Sequence, residues 1–337
     1  MEILKNYNIY KLNTFGINAS AKFFVEINNE EALKEFFNLP EFKQNKKIFL
    51  GGGSNVLFTS DFDGMVILNK LKGIEILKED IGSVTVRAMG GEIWHDLVTF
   101  VVNHGYWGVE NLAFIPGTVG AAPIQNIGAY GVELKDVLLN VEAYEIETGA
   151  KKIFNNEECE FGYRDSIFKN KLKGKYFIGA VTLRLSKEVK KNITYKILSD
   201  YLEKNKIEVK NPKDISDIVT FIRKSKLPDP KIIGNAGSFF KNIFVDKEKL
   251  QNLLEKYPDA PYFKEEEIIK IPAGWLIEQC GWKGYRVGNV GAHEKHALVL
   301  VNYGGATGEE LMELANKIIA SVKEKFDLEL APEVNIV

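Results

Sequence analysis

The chain has 337 residues, enough for about two domains, perhaps three, at roughly 150 residues each, and its 44 Lys and Arg against 46 Asp and Glu give a net charge of −2. Hydrophobic residues are 45% and charged residues 27%, the balance of an ordinary globular protein that buries a core without staples. This excludes disorder, collagen and coiled coil as overall descriptions, and the lack of a basic excess argues against a protein that grips nucleic-acid backbone.

The start of the chain lacks a basic segment followed by an apolar one, so no secretory leader is expected. Short strand-like runs follow at Lys47–Leu50, Met65–Leu68 and Val84–Ala88, each bounded by glycine or charged turns. Helical periods alternate with them, over Glu30–Asn38 and Ile93–Val102, then Pro212–Lys224, Asp246–Tyr257, Gly274–Cys280 and Gly308–Phe326. The last opens on Thr307 with Glu310 three residues on, the pattern of a capping box. The mixture reads as α+β. The longest wholly apolar run, Ala297–Val301, is far shorter than the ~20 residues that span a bilayer. A cytoplasmic protein is expected.

Cys159 and Cys280 lie far apart and neither belongs to a CxxC, which fits a reducing compartment and two small buried hydrophobes. Of the four histidines only His293 and His296 are close, and no carboxylate or cysteine spacing beside them completes a metal site.

One stretch breaks the pattern. Residues 105–131 hold six of the 29 glycines, where the rest of the chain would supply about two. Leu112, Phe114, Ile115, Val119, Ile124 and Ile127 make it too apolar for disorder, so it reads as an ordered, partly buried loop whose amides need partners. A bound ligand would supply them. A second glycine segment, Gly51-Gly52-Gly53-Ser54-Asn55, follows a strand and precedes Val56-Leu57-Phe58. No Gly-Lys-Ser/Thr follows it, so it is not a P-loop, and the β-branched run after it is not the helix that a Rossmann turn opens. Alone it reads first as a hairpin turn, although successive amides there could cradle an anion. Paired with the second loop it suggests a large anionic cofactor. Pro116, Gly117, Thr118, Gly120, Gln125, Asn126, Gly128, Ala129 and Gly131 offer small side chains, backbone donors and two amides for a flat heterocycle. These residues point to a dinucleotide without saying which.

GGGSN followed by LAFIPGTVGAAPIQNIGAYG resembles the UDP-N-acetylenolpyruvoylglucosamine reductase (MurB) family, in its longer, type I form. Phe161–Ser166 (FGYRDS), Gly234–Asn242 (GNAGSFFKN), Ala273–Glu278 (AGWLIE) and Pro332-Glu333-Val334 agree, and the resemblance runs from Asn13 to the end. It implies an FAD-binding fold of the vanillyl-alcohol-oxidase/PCMH type, in two parts, plus a C-terminal α+β substrate-binding domain. The expected division is 1–69 and 70–226 for the flavin and 227–324 for the substrate, with 325–337 returning to the first part. It also implies non-covalent FAD, consistent with loops that lack His and Cys, and NADPH as the reductant. The substrate would be the enolpyruvyl ether of UDP-GlcNAc, with no nucleic acid or membrane partner and a monomeric chain.

Three residues match the family's catalytic positions: Arg164, Ser238 and Glu333. Tyr195, Lys226 and Asn242 match substrate contacts, and His296 stands where the family commonly has glutamine. A guanidinium suits a carboxylate, a neutral carboxylic acid can share its proton with an enolate, and a hydroxyl backed by an acid can protonate carbon. The rival readings are another flavin oxidoreductase on the same scaffold and a non-catalytic nucleotide-sugar binder.

Overall fold

The computed structural model describes residues 2–265 and 268–337. The chain forms an α+β fold with two compact units. The first takes residues 1–7, 21–52 and 63–225; the second takes 8–20, 53–62 and 226–337.

Two sheets build the first unit. One has strands in the order Leu4–Asn8, Ser20–Ile27, Phe62–Asn69, Lys46–Leu50. Its last two strands run parallel, Leu50 opposite Leu68. Parallel neighbours need a crossover, and this one, residues 51–61, carries the glycine turn. The other sheet has the order Lys151–Asn155, Leu138–Glu145, Tyr176–Ser186, Ser83–Met89, Ile74–Glu79, with all neighbours antiparallel. Its central strand, Tyr176–Ser186, is buried at nine of eleven positions, as expected of a strand covered on both faces. Ser83–Met89 alternates instead: Val84, Val86 and Ala88 enter the core, and Arg87 lies on the other face.

The main core of this unit joins that sheet to the helix Trp94–Asn103, which inserts Trp94, Leu97, Val98, Val101 and Val102. The Trp94 indole N–H donates to the Leu112 carbonyl at 3.0 Å, so the largest core side chain also fixes the start of the glycine-rich loop. A second cluster gathers Phe36, Phe37 and Phe42, edge-on between Phe36 and Phe42 and tilted in the other two pairs, with ring centroids 4.9–5.7 Å apart, over Val25, Ile27, Met65 and Phe177. Here the sequence pattern overreaches, because the helix begins at Leu33 and not Glu30. Asn29 Oδ1 takes the Glu31 N–H and Glu30 O takes the Leu33 N–H, which makes residues 29–32 a turn.

The second unit has a four-stranded sheet in the order Gly234–Ser238, His296–Asn302, Val290–His293, Arg286–Val287, and a three-stranded one in the order Ile243–Val245, Ile268–Ile271, Phe263–Glu265. The helix Gly308–Phe326 buries Leu311, Leu314, Ala315, Ile318 and Val322, and its capping box forms as expected: Thr307 Oγ accepts from Glu310 N–H while the Glu310 carboxylate accepts from Thr307 N–H. Such a cap contributes about 1 kcal/mol. A short parallel pair joins Asn335–Ile336 to Val56–Leu57. Glu333, expected in the final strand, precedes it by two residues. Cys159 is buried, which pushes its thiol up to about 12; Cys280 is only half-buried.

An ion cluster ties four strands of the antiparallel sheet. Arg87 binds Glu142 through Nε at 2.5 Å and Nη2 at 2.9 Å, and Glu75 through Nη1 at 2.9 Å; Lys151 also meets Glu142. Burial opposes charge on Glu142, but Arg87 and Lys151 outweigh it and hold the carboxyl below its ordinary value. Breaking a buried pair strands its partner, so Arg87→Met should cost about 3 kcal/mol in urea unfolding at neutral pH. Lys213→Ala, which breaks an exposed pair with Asp217, should cost under about 0.5 kcal/mol. Because Glu142's folded value is depressed, its contribution is present above the ordinary carboxylate range and is lost as pH falls through the folded value. The Arg87→Met penalty should therefore shrink in acid, and an unchanged penalty would contradict this account.

Candidate active site

In the first unit the glycine turn meets the long loop backbone to backbone. A β-carbon on Gly52 would lie 3.0 Å from Gly117 Cα, and one on Gly51 would lie 2.3 Å from Thr118 Oγ. Only glycine allows this approach. The long loop is held from behind: Trp94 N–H donates to Gly117 O, Val119 N–H to Glu92 O, and Gly120 N–H to Gly90 O. Between 105 and 131 it has only two short 3₁₀ turns, Glu110–Leu112 and Val119–Ile124, and a strand residue pair at Gly128–Ala129. It is ordered by burial, since Leu112, Val119 and Ile127 enter the core. Phe114, Asn126 and Tyr130 each take a left-handed conformation that non-glycine residues rarely adopt, and such strain clusters at ligand sites.

Two buried polar atoms in this loop have no hydrogen-bond partner among the described residues: Thr118 Oγ and Asn111 Oδ1. A buried group without a partner costs about 1–3 kcal/mol. Thr118 Oγ lies beside the Gly51 turn, so a ligand entering that cradle would satisfy it. The Asn126 amide is used inside the protein: it donates to Glu133 and to Gly162 O, and its Oδ1 accepts from Lys135 N–H. Asn126 therefore shapes the loop.

Arg164 sits at the second central position of a two-residue turn closed by reciprocal bonds between Gly162 and Asp165. Its φ of 52° is left-handed, where glycine is usual. Its Nη2 donates to Gly128 O at 2.8 Å, and a β-carbon on Gly128 would lie 3.0 Å from its Nη1, so this glycine makes room for the guanidinium against the loop. Tyr195 is exposed and meets Tyr130 edge-on at 5.4 Å. Its segment is tied to the loop by Asn111 Nδ2, which donates to both Tyr130 O and Asn192 O at 2.9 Å, and by Asn192 Nδ2, which donates to Gly131 O. Sequence reasoning missed Asn111, Glu110 and Arg223. Glu110 is almost fully buried, and burial pushes its carboxyl up while the Gly108 N–H pulls against it.

In the second unit Ser238 ends the strand Gly234–Ser238 after an irregularity in its pairing, with Gly237 at φ 68° and its N–H bound to Asn235 Oδ1. Phe239 N–H donates to Leu298 O at 2.7 Å, and Phe239 O accepts from Glu333 N–H at 2.8 Å. That carbonyl brings Ser238 and Glu333 onto adjoining backbone. The C-terminal segment is also tied to the far end of the glycine turn: Asn335 N–H and Nδ2 both donate to Asn55 O, and Asn55 Nδ2 reaches Glu333 O at 3.4 Å. His296 is on the strand that pairs with Ser238's. Burial holds its imidazole below the ordinary value, and Lys226 adds to this. Lys226 itself is exposed, and Asn242 Oδ1 accepts from Ala273 N–H. Of the predicted residues, Gly51, Gly52, the long loop, Arg164 and Tyr195 thus fall in the first unit. Gly53–Asn55, Lys226, Ser238, Asn242, His296 and Glu333 fall in the second. Among the described residues no group of His, Cys, Asp and Glu could hold a metal ion.

The fold and the glycine cradle define a flavin-dependent class of protein: residues 21–150 match the FAD binding domain, and residues 229–337 match the C-terminal domain of UDP-N-acetylenolpyruvoylglucosamine reductase. Curated proteins of that name share 49% identity (Amoebophilus asiaticus) and 46% (Flavobacterium johnsoniae), each over the full length of both chains. The crystal structure of the Thermus caldophilus enzyme superposes with a TM-score of 0.65 at 24% identity, over 99% of this chain and 98% of that one. The chain belongs to the UDP-N-acetylenolpyruvoylglucosamine reductase family.

The residues present fit FAD: Gly51 and Gly52 admit no side chain where they meet the loop, and the buried Thr118 hydroxyl beside them has a hydrogen bond to give that a ligand would take. Gly52→Ala should therefore raise the FAD dissociation constant at least tenfold with an unchanged far-ultraviolet spectrum. Thr118→Val removes the unpartnered hydroxyl, so it should stabilise the flavin-free protein by about 1 kcal/mol while weakening FAD about tenfold. Fluorescence titration and thermal melts measure both; unchanged FAD affinity would remove these residues from the cradle.

Proposed function

We propose that the chain reduces the enolpyruvyl ether of UDP-GlcNAc to UDP-N-acetylmuramate, a step of peptidoglycan synthesis, with NADPH as the reductant. The observation that carries this reading is the full-length identity of 46–49% to curated reductases of that name, together with the glycine cradle. We assign FAD to residues 1–69 and 70–226, with Gly51, Gly52, Gly53, Ser54 and Asn55 and the Pro116–Gly131 loop as the residues that hold it. The nucleotide sugar is assigned to 227–324, and the segment 325–337 supplies Glu333. The working protein is a cytoplasmic monomer in this reading. Among the described residues no helix is long and apolar enough to cross a membrane.

Bound FAD supplies the hydride relay from NADPH to the enolpyruvyl C3. The double bond is reduced when C3 gains that hydride and C2 gains a proton, and negative charge develops meanwhile on C2 and its carboxylate. Stabilising that charge is where most of the catalytic gain lies. Arg164 has the always-charged planar fork for the carboxylate, and the hydrogen bond to Gly128 O fixes its direction. Glu333 serves as the acid that shares its proton with the enolate. Ser238 delivers the proton to C2. Its hydroxyl is a weak acid, so the backbone link between Phe239 and Glu333 supports the pairing of the two roles. Lys226, Asn242, His296 and Tyr195 are assigned to the UDP-sugar.

Ser238→Ala separates the two half-reactions. NADPH-driven bleaching of the flavin should stay within about twofold of the parent, while reoxidation by the enolpyruvyl substrate slows by roughly 10²–10⁴, the range for loss of a positioned proton donor. Rapid-mixing absorbance at the flavin band reads both. An equal fall in both rates would contradict the assignment of Ser238.

A further inference from the structure

Tyr130 and Gly131 form the two-residue turn between the short strands Gly128–Ala129 and Val132–Glu133, and both have positive φ, 49° and 80°, as so tight a hairpin turn requires. Asparagine side chains take the carbonyls of both. Asn111 Nδ2 donates to Tyr130 O at 2.9 Å, and Asn192 Nδ2 donates to Gly131 O at 3.1 Å. The same Asn111 Nδ2 donates to Asn192 O at 2.9 Å. Asn111 therefore joins the hairpin turn to the segment that follows the strand Tyr176–Ser186. Among the described residues, the hydrogen bonds that tie residues 189–194 to the rest of the chain both run through Asn192. Ile193 adds an apolar contact with the main core, whereas Lys190 and Lys191 are exposed. Tyr195 comes next, at the start of the helix Lys196–Lys204, with its ring edge-on to Tyr130.

Asn111 is a fixed post. It is 1% exposed, and Glu110 and Leu112 are buried with it in one 3₁₀ turn. Gly108 N–H donates to the Glu110 carboxylate at 2.6 Å and the Trp94 indole N–H to Leu112 O at 3.0 Å, so that turn is held on both sides. A terminal amide atom with two carbonyl oxygens at 2.9 Å must be the nitrogen, which leaves Oδ1 buried and without a partner among the described residues. An unpaired buried acceptor works against folding, and an aliphatic side chain would avoid it. What only the amide supplies is a pair of donors for two segments at once. We infer that Asn111 is a positioning residue for substrate binding, which clamps residues 189–194 through Asn192 and so fixes Tyr195 beside Tyr130. The substrate role of Tyr195 rests on the function proposed above. A side chain ordered before its ligand arrives spares binding the loss of that freedom, so the clamp acts on affinity more than on the chemical step.

Two measurements on the FAD-loaded protein test this. Trypsin reads the clamp without any substrate, because cleavage after the exposed Lys190 and Lys191 follows local opening of their segment. That cleavage should quicken about tenfold in Asn111→Ala and by a smaller factor in Asn192→Ala, which loses the bond to Gly131 O and keeps the one from Asn111. Steady-state kinetics read the consequence. Asn111→Ala should raise the KM for enolpyruvyl-UDP-GlcNAc about tenfold and leave kcat within about threefold of the parent, the pattern of lost binding. In a Tyr195→Ala background the same substitution should add less than about twofold, since residues that act as one unit do not add. Flavin content should stay near the parent's. Should Asn111→Ala fail to fold, Asn192→Ala carries both measurements with the same signs. Unchanged cleavage in the variants, or effects of Asn111 and Tyr195 that multiply, would overturn the proposal. So would a fall in flavin content with equal losses in both half-reactions, which would make Asn111 a support of the fold alone. A flavin-loaded parent that binds no enolpyruvyl-UDP-GlcNAc would instead strike the proposed function, and the substrate role of the clamp with it, whatever the cleavage rates.

Discussion

Backbone meets backbone where the turn after the strand Lys46–Leu50 lies against residues 117 and 118, and the first unit is organised around that approach. A 3.0 Å separation between a β-carbon on Gly52 and the Gly117 α-carbon leaves no room for substitution. The approach holds because both partners are anchored in regular structure. The turn hangs from a strand paired in register with Phe62–Asn69, and the loop is pinned through Gly117 O, Val119 N–H and Gly120 N–H to residues 90–94. Those residues in turn open the helix whose Trp94 fills the core. An irregular loop of this length is thereby as fixed as a strand, which a preorganised cofactor site requires.

The second unit solves a different problem, the placing of two residues distant in sequence on neighbouring backbone. It uses one carbonyl, Phe239 O, which takes the Glu333 N–H, and a C-terminal segment stitched to Asn55 and to Val56–Leu57. Ser238 and Glu333 inherit their positions from these main-chain bonds. Main-chain bonds of this kind do not depend on the rotamers of either side chain, so they suit the roles proposed for Ser238 and Glu333.

Much of this was legible in the sequence, for identifiable reasons. Gly308–Phe326 appears with its limits because periodicity, a capping box and a long apolar stripe all agree. The ordering of residues 105–131 was visible because glycines there alternate with apolar residues that had to be buried. The start of the helix at Leu33 was not, since Asn29 and Glu30 compete for the backbone amides of the preceding turn. Lys196–Lys204 also escaped, as a nine-residue helix that buries only Leu198 and Leu202. Among candidate site residues, those within glycine motifs or matching the family stood out. Arg223 and Asn111 did not, because nothing local distinguishes an arginine on a charged helix or an asparagine before a leucine. Their significance comes from what they meet: Phe114 O in one case, and Tyr130 O with Asn192 O in the other.

The central claim is that one chain carries both halves of a flavin-mediated reduction, and an anaerobic titration of the purified protein tests it most directly. The account predicts a yellow protein whose flavin band bleaches on adding NADPH and returns, one equivalent for one, on adding enolpyruvyl-UDP-GlcNAc. A protein that bleaches and stays bleached with that sugar would contradict the substrate, and one that binds no flavin after reconstitution with FAD would contradict the cradle.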